Sequence, residues 1–225
     1  GSNSYLLSDE ITTKLTGRHL SFEVYTLDFS EFLAMKKFYN RTISNDLYDE
    51  FDEYIRNGGF PKSLEFDSLN VRQTYTRGII EEIFEKDVKT RNRISNVAVF
   101  ERVQSFLINN YAAPFSLSNL LEELGKNNIN TKPQTVRHYI QELQKAKLLY
   151  ECNRFDLKSK KSIGREQKYY LADLSLYFST NTNNRFSYGP SLENIVYLYL
   201  VSNGYQVSIG RIGNYECDFI IRDKN

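Results

Sequence analysis

Between residues 99 and 174, three segments with helical spacing are followed by two with strand spacing, and this order constrains the fold more than any other feature. "VFERVQSFLINNY" (99–111) puts Val99, Val103, Phe106 and Leu107 on one inward helix face. "SLSNLLEELG" (116–125) reads as a second helix stopped by Gly125. "KPQTVRHYIQELQKAKLL" opens with Pro133 at a helix start and buries Val136, Ile140 and Leu143. "LLYECNRF" (148–155) and "QKYYLADL" (167–174) read as strands joined by the basic loop "DLKSKKSIGRE".

Helix, helix, helix, strand, basic loop, strand is the order of a winged helix-turn-helix. The third helix of such a unit is the one that enters a groove. Its outward face carries Gln134, Arg137, His138, Gln141 and Lys145, with Arg137, Gln141 and Lys145 at four-residue spacing on one side. Arg and Gln side chains match base edges, whereas Lys145 and the loop residues Lys158, Lys160, Lys161 and Arg165 are suited to neutralising phosphates. Charge follows the same division. The chain has a net charge of +1, but residues 132–170 carry ten Lys/Arg against four Asp/Glu, and residues 1–57 carry six against ten. A basic block in a near-neutral chain marks an anionic partner. The same face also fits a plain solvated helix, or a winged helix used as a protein-interaction module.

Elsewhere the periodicity predicts a short amphipathic helix over 5–15 (Leu7, Ile11, Leu15) and a strand in "HLSFEVYTL", where Leu20, Phe22 and Val24 alternate. Helices are expected over 30–40 and 46–56, then a turn at "NGGFP" (57–61). A further helix over 70–90 aligns Val71, Tyr75, Ile79, Ile83 and Phe84 in one stripe. The polar run "STNTNNRFSYGP" (179–190) reads as a linker. Helix, strand, turn and strand then follow to the last residue. In that last strand, "YECDFII" (215–221), alternation puts Glu216 and Asp218 on one face. Two such carboxylates are either a solvated edge or half of a metal site.

Composition excludes several classes. No window approaches the roughly 20 apolar residues of a membrane span, and "GSNSYLLSDEI" lacks the basic and apolar regions of a signal peptide. Cys152 and Cys217 are too few for a disulfide framework, which suits a reducing cytoplasm. His19 and His138 lie near no cysteine, so a zinc site is not expected. No Gly-x-x-x-x-Gly-Lys-Ser/Thr loop is present, and "NGGFPKS" has neither the spacing nor the Gly-Lys pair.

Taken in order, "YIRNGGFPKSLE", "IIEEIFEKDV", "FSLSNLLEELG", "TVRHYIQELQKAKLLYECNRFDLKSKK", "KYYLADLSL", "LENIVYLYLVSNGYQV" and "ECDFII" resemble a prokaryotic family of AAA+-like ATPases. In that family the ATPase core is followed by a helical segment with a "GGFP" turn, a winged helix and a restriction-endonuclease-like end. The resemblance covers nearly the whole chain. It implies an α+β, helix-rich architecture in four parts: the end of an ATPase core (1–57), a helical connector (58–97), a winged helix (98–178) and a partial PD-(D/E)XK-like α/β end (179–225). It further implies that the Walker segments precede this stretch, that ATP and Mg2+ belong to the intact protein, and that this chain does not hydrolyse ATP by itself.

Asn3 matches the family's polar sensor residue, which orients the attacking water. Arg18 matches an arginine finger, whose guanidinium stabilises the transferring phosphoryl group. A finger acting in trans implies a homo-oligomer assembled through the ATPase core. Glu193 and Asp218 match the first two ligands of a divalent cation in the endonuclease-like fold; Glu216 is assigned no ligand role, and the family's Glu-x-Lys element would lie one strand further on. The expected function is that of the C-terminal part of an ATPase docking on nucleic acid through the winged helix. The alternative is a non-enzymatic winged-helix adaptor.

Overall fold

A computed structural model of the chain describes residues 22–85, 94–156, 161–181, 188–212 and 215–223, without the side chains of 156, 161–166, 211 and 212. The architecture is α+β and rich in helix, with eight α-helices and one four-stranded mixed sheet among the described residues. None of these helices is long and apolar enough to cross a membrane.

Helices α1 (Phe29–Phe38) and α2 (Leu47–Asn57) start where the local chemistry favours it. Asp28 and Glu31 form a reciprocal capping box on α1, and the Asp46 carboxylate accepts the Tyr48 N–H at 2.8 Å on α2. The two helices close over Phe32, Tyr54 and Leu64. Residues 22–28 do not form the expected strand. They run as an irregular segment with Phe22 and Val24 exposed; among the described residues its backbone is held by the Leu27 N–H, which donates to the Gly59 carbonyl at 2.8 Å.

That bond belongs to the Gly58-Gly59 turn, which joins distant parts of the chain. Gly58 has φ +71°, and a Cβ there would lie 1.7 Å from Asp173 Oδ1; one on Gly59 would lie 2.3 Å from the Leu27 carbonyl oxygen. The Gly59 N–H donates to Asp173 Oδ2 at 2.7 Å, and the Ser175 N–H and hydroxyl donate to Oδ1 at 2.9 and 2.6 Å. Only residues without a Cβ permit this approach.

Helix α3 (Leu69–Ile83) follows a 3-10 turn at Pro61–Glu65. Of the expected stripe Val71, Tyr75, Ile79, Ile83 and Phe84, only Ile83 and Phe84 pack against the main core, and Val71 is exposed; the fully buried positions are Arg72, Thr76 and Ile80. The reason is polar pairing. Arg72 Nη1 reaches Glu53 Oε1 at 2.8 Å, and Thr76 Oγ1 reaches Ser175 Oγ at 3.4 Å.

Helices α4 (Val97–Asn109), α5 (Leu117–Lys126) and α6 (Pro133–Lys145) hold the main core with Val99, Val103, Leu107, Leu120, Leu124, Val136, Ile140 and Leu143. Gly125 does not stop α5, which runs to Lys126 and ends through Asn127 and the positive-φ Asn128. Phe106 is only half-buried; Phe100 and Ile108 take the inward positions beside Val103 and Leu107. Strands β1 (Leu149–Asp156) and β2 (Lys161–Leu171) pair antiparallel, so Lys161 and Arg165 lie on a strand and not in a loop.

After α7 (Ser175–Thr180) and α8 (Tyr188–Ser202), β3 (Gln206–Ile212) returns parallel to β1, and β4 (Tyr215–Arg222) closes the sheet in the order β2-β1-β3-β4. One sheet therefore runs through the 98–178 and 179–225 segments. Tyr188 and the residues after it, expected in a linker, start α8.

Candidate nucleic-acid interface

The polar groove of the fold lies between α6, the start of α5 and the β1–β2 hairpin, with a volume of about 670 Å³. The apolar side of α6, led by Val136, Tyr139, Ile140 and Leu143, is buried, which turns Arg137 and Gln141 outward into this groove. Gln144 continues the same face, and its amide donates to Glu151 on β1 at 2.8 Å. Gln167 and Tyr169 of β2 form the opposite wall; Asn153 pairs with Gln167 and Glu151 with Tyr169, which places Glu151, Gln167 and Tyr169 on one face of the hairpin.

The remaining wall is built by residues 112–116. The Ala112 and Phe115 N–H groups donate to the Tyr169 and Gln167 carbonyls, both at 2.8 Å, so this stretch lies along β2 on the side away from β1. Phe115 meets the Tyr169 ring edge-on, and Ser116 caps α5 by accepting the Asn119 N–H. Burial and the nearby Glu151 charge push the Tyr169 hydroxyl up against smaller opposing effects from Gln167 and Arg137, so it stays protonated at neutral pH. Arg137 makes no ion pair among the described residues.

On the other face of β2 lies an ionic cluster around a buried lysine, with Glu193 mostly buried and Glu216 exposed. Lys168 is 3% exposed, and its ammonium sits 2.9 Å from Glu193 Oε1 on α8 and 2.9 Å from Glu216 Oε1 on β4. The Tyr170 hydroxyl donates to the same Glu193 oxygen at 2.7 Å. Asn194 fixes α8 in place, since its side-chain amide exchanges two hydrogen bonds with the Leu171 backbone at 2.8 and 3.0 Å. Burial draws the Lys168 ammonium down, but hydrogen bonds to Glu193 and Glu216 outweigh it and hold its pKa above the ordinary lysine value. Cys152 pairs with Lys168 across the hairpin, and burial pushes its thiol up to about 12, which leaves it unreactive.

A model of a domain of unknown function, DUF8612, matches residues 48–185, more than half of the chain. The chain belongs to the DUF8612 family. An uncharacterized protein of Haemophilus influenzae is 30% identical over 223 residues, covering 99% of this chain and 55% of the relative. An uncharacterized protein of Methanocaldococcus jannaschii is 31% identical over 237 residues, covering 100% of this chain and 52% of the relative. The chain thus spans about half the length of these curated relatives. No solved structure matches it.

The groove and Lys168 fall inside the DUF8612 match, whereas Glu193 and Glu216 lie beyond it. Of the expected nucleic-acid residues, the structure brings Arg137 and Gln141 together. Lys145 points instead at the buried Glu142, 3.0 Å away. Lys158 and Lys160 lie outside the described residues, as do the side chains of Lys161 and Arg165. Asn3 and Arg18 also lie outside the described residues.

For the metal pair, the structure places Glu193 against Lys168 and leaves Asp218 exposed on β4. A bulge follows Cys217, which pairs with Gly210 while Ile220 pairs with Ser208, so Asp218 lies in the irregular stretch. Phe219, three residues after Glu216, packs on Tyr170 and Tyr197 on the α8 side. Among the described residues, no group of three or more His, Cys, Asp or Glu is placed to hold a metal. Gln144, Glu151, Gln167 and Tyr169 went unread in the sequence, although three of them follow from strand alternation across the hairpin. Lys168 carried a signal too, as a lone cation in the aromatic run "QKYYL".

Proposed function

We propose that this DUF8612 chain docks on double-stranded nucleic acid through the α4–β2 unit, a winged helix-turn-helix, and is the C-terminal part of an AAA+-like ATPase. The observation that carries the docking is the groove in which Arg137, free of any ion pair among the described residues, stands one helical turn from Gln141. Both side chains have the donor geometry that base edges accept, and the groove is open and polar. Support for the winged-helix reading comes from three helices leading into a hairpin, with residues 112–115 laid along β2 as a third, short strand. The basic block over 132–170 supplies the phosphate attraction. The further length of the relatives has room for a phosphate-binding loop, where ATP and Mg2+ would bind; Arg18 would then act across a subunit boundary.

Glu151 on the groove floor favours one second reading, a groove for a protein segment carrying both charges. Anisotropy titrations of a labelled duplex separate the two. Docking on nucleic acid predicts binding that weakens steeply between about 50 and about 200 mM salt, and a loss of roughly tenfold or more in Arg137→Ala. Absence of salt-dependent duplex binding at low ionic strength overturns it and leaves the protein-interaction reading.

A further inference from the structure

The endonuclease-like resemblance implies a divalent cation on Glu193 and Asp218, and the structure does not fit one there. Glu193 Oε1 already accepts the Lys168 ammonium at 2.9 Å and the Tyr170 hydroxyl at 2.7 Å. The same ammonium reaches Glu216, at 2.9 Å, on a third element of the fold. Asp218 lies in the bulged part of β4 and is exposed. We infer that Lys168 is the resident cation of this site: its ammonium takes the position between Glu193 and Glu216 that a divalent ion would occupy, and so closes the pair to metal.

One fixed ammonium lies between two carboxylates, and a hydroxyl donor satisfies the shared oxygen further. A divalent ion entering the pair would bring two more positive charges within contact distance of a lysine that is 3% exposed. The anchor is also rigid, because Asn194 holds α8 to the end of β2. The carboxylates therefore bind three elements of the fold together through an internal counter-ion. This inference stands independently of nucleic-acid docking.

The test compares the wild-type chain with Glu193→Gln, with Lys168→Gln, which keeps a donor but removes the charge, and with Lys168→Gln/Glu193→Gln. Tb3+ luminescence sensitised by tyrosine reports ions near Tyr170, and Mn2+ titration with thermal unfolding reports stabilisation. The expected result is no saturable Tb3+ signal and no Mn2+-dependent rise in Tm for the wild type. Lys168→Gln gains one Tb3+ site and a Mn2+-dependent rise in Tm, both lost in the double variant. Wild-type Tb3+ binding that disappears in Glu193→Gln overturns the inference, as does a folded Lys168→Gln that binds no ion. If Lys168→Gln does not fold alone, refolding with Mn2+ decides the matter: recovery of the native circular dichroism supports the inference, and no recovery overturns it.

Discussion

The helices before residue 85 and the body that follows them solve burial in opposite ways. The main body closes over a continuous apolar core from Val99 to Ile209, in which Phe100, Leu107, Leu143, Tyr170 and Leu176 are all within 2% of full burial. The N-terminal helices close a smaller cluster of their own over Phe32, Tyr54 and Leu64, lend Ile55 and Ile80 to the main core, and hold an ionic network beside them. Lys36 Nζ lies 2.6 Å from Glu50 and 2.8 Å from Glu53, and Arg72 lies 2.8 Å from Glu53. Apolar burial is non-directional and tolerates exchange of similar shapes, whereas a buried ion pair contributes only while all its partners are present. Phe51 and Ile195 pack against both cores, and the Gly59–Asp173 hydrogen bond ties them further.

The largest effect should come from breaking the ionic centre on one side only. Lys36→Met leaves Glu50, 2% exposed, with its remaining hydrogen bond from the Ser44 N–H but no cation. The expected loss is about 3–5 kcal/mol in urea unfolding. Lys36→Met/Glu50→Leu removes both charges and should recover most of that loss. Equal destabilisation in the single and double variants would mean that the N-terminal helices depend on shape, as the main body does, and the contrast would fail.

The same contrast explains what could be read from the sequence. In α6, Pro133 and the Val136, Ile140, Leu143 spacing gave both the helix and its buried face, because an apolar core follows from hydrophobic period alone. That procedure held only in part on α3, where the period pointed to Val71, Tyr75, Ile79, Ile83 and Phe84; the last two meet the core, but Arg72 and Thr76 take the fully buried positions. Their partners, Glu53 and Ser175, come from other elements, and no local period encodes them. Arg137 and Gln141 were legible as groove residues for the α6 reason. The trio of Lys168, Glu193 and Glu216 was not, since it depends on parallel pairing of β1 with β3 and on the bulge in β4. Strand alternation put Asp218 beside Glu216, but only Glu216 reaches Lys168, and Asp218 falls in the bulged stretch that follows.

A smaller effect tests the connection between the regions. Gly58→Ala puts a side chain at φ +71° and into the Asp173 carboxylate. A non-glycine residue held there costs on the order of 1–3 kcal/mol before the clash is counted. The expected result is a lower denaturation midpoint with a broadened transition, as the N-terminal helices come loose from Asp173. An unchanged midpoint would show that the joint carries no coupling and that apolar contacts such as those of Phe51, Ile55, Ile80 and Ile195 hold the two regions together.

Gly78→Ala sets the scale from the opposite side. Gly78 lies inside α3, and nothing stands within 4 Å of an added Cβ. Replacing a mid-helix glycine by alanine removes a backbone entropy cost of about 0.5–1 kcal/mol without creating a contact. In a chain of this size that corresponds to a rise in Tm of roughly 1–4 °C, provided α3 melts together with the main body. The proviso is the useful part. If the rise appears in the single main transition, the polar-centred helices and the apolar body unfold as one unit, and the contrast between them is one of chemistry only. If Gly78→Ala shifts an earlier, separate transition and leaves the main one in place, the contrast extends to cooperativity. The ionic centre would then mark a region that opens on its own.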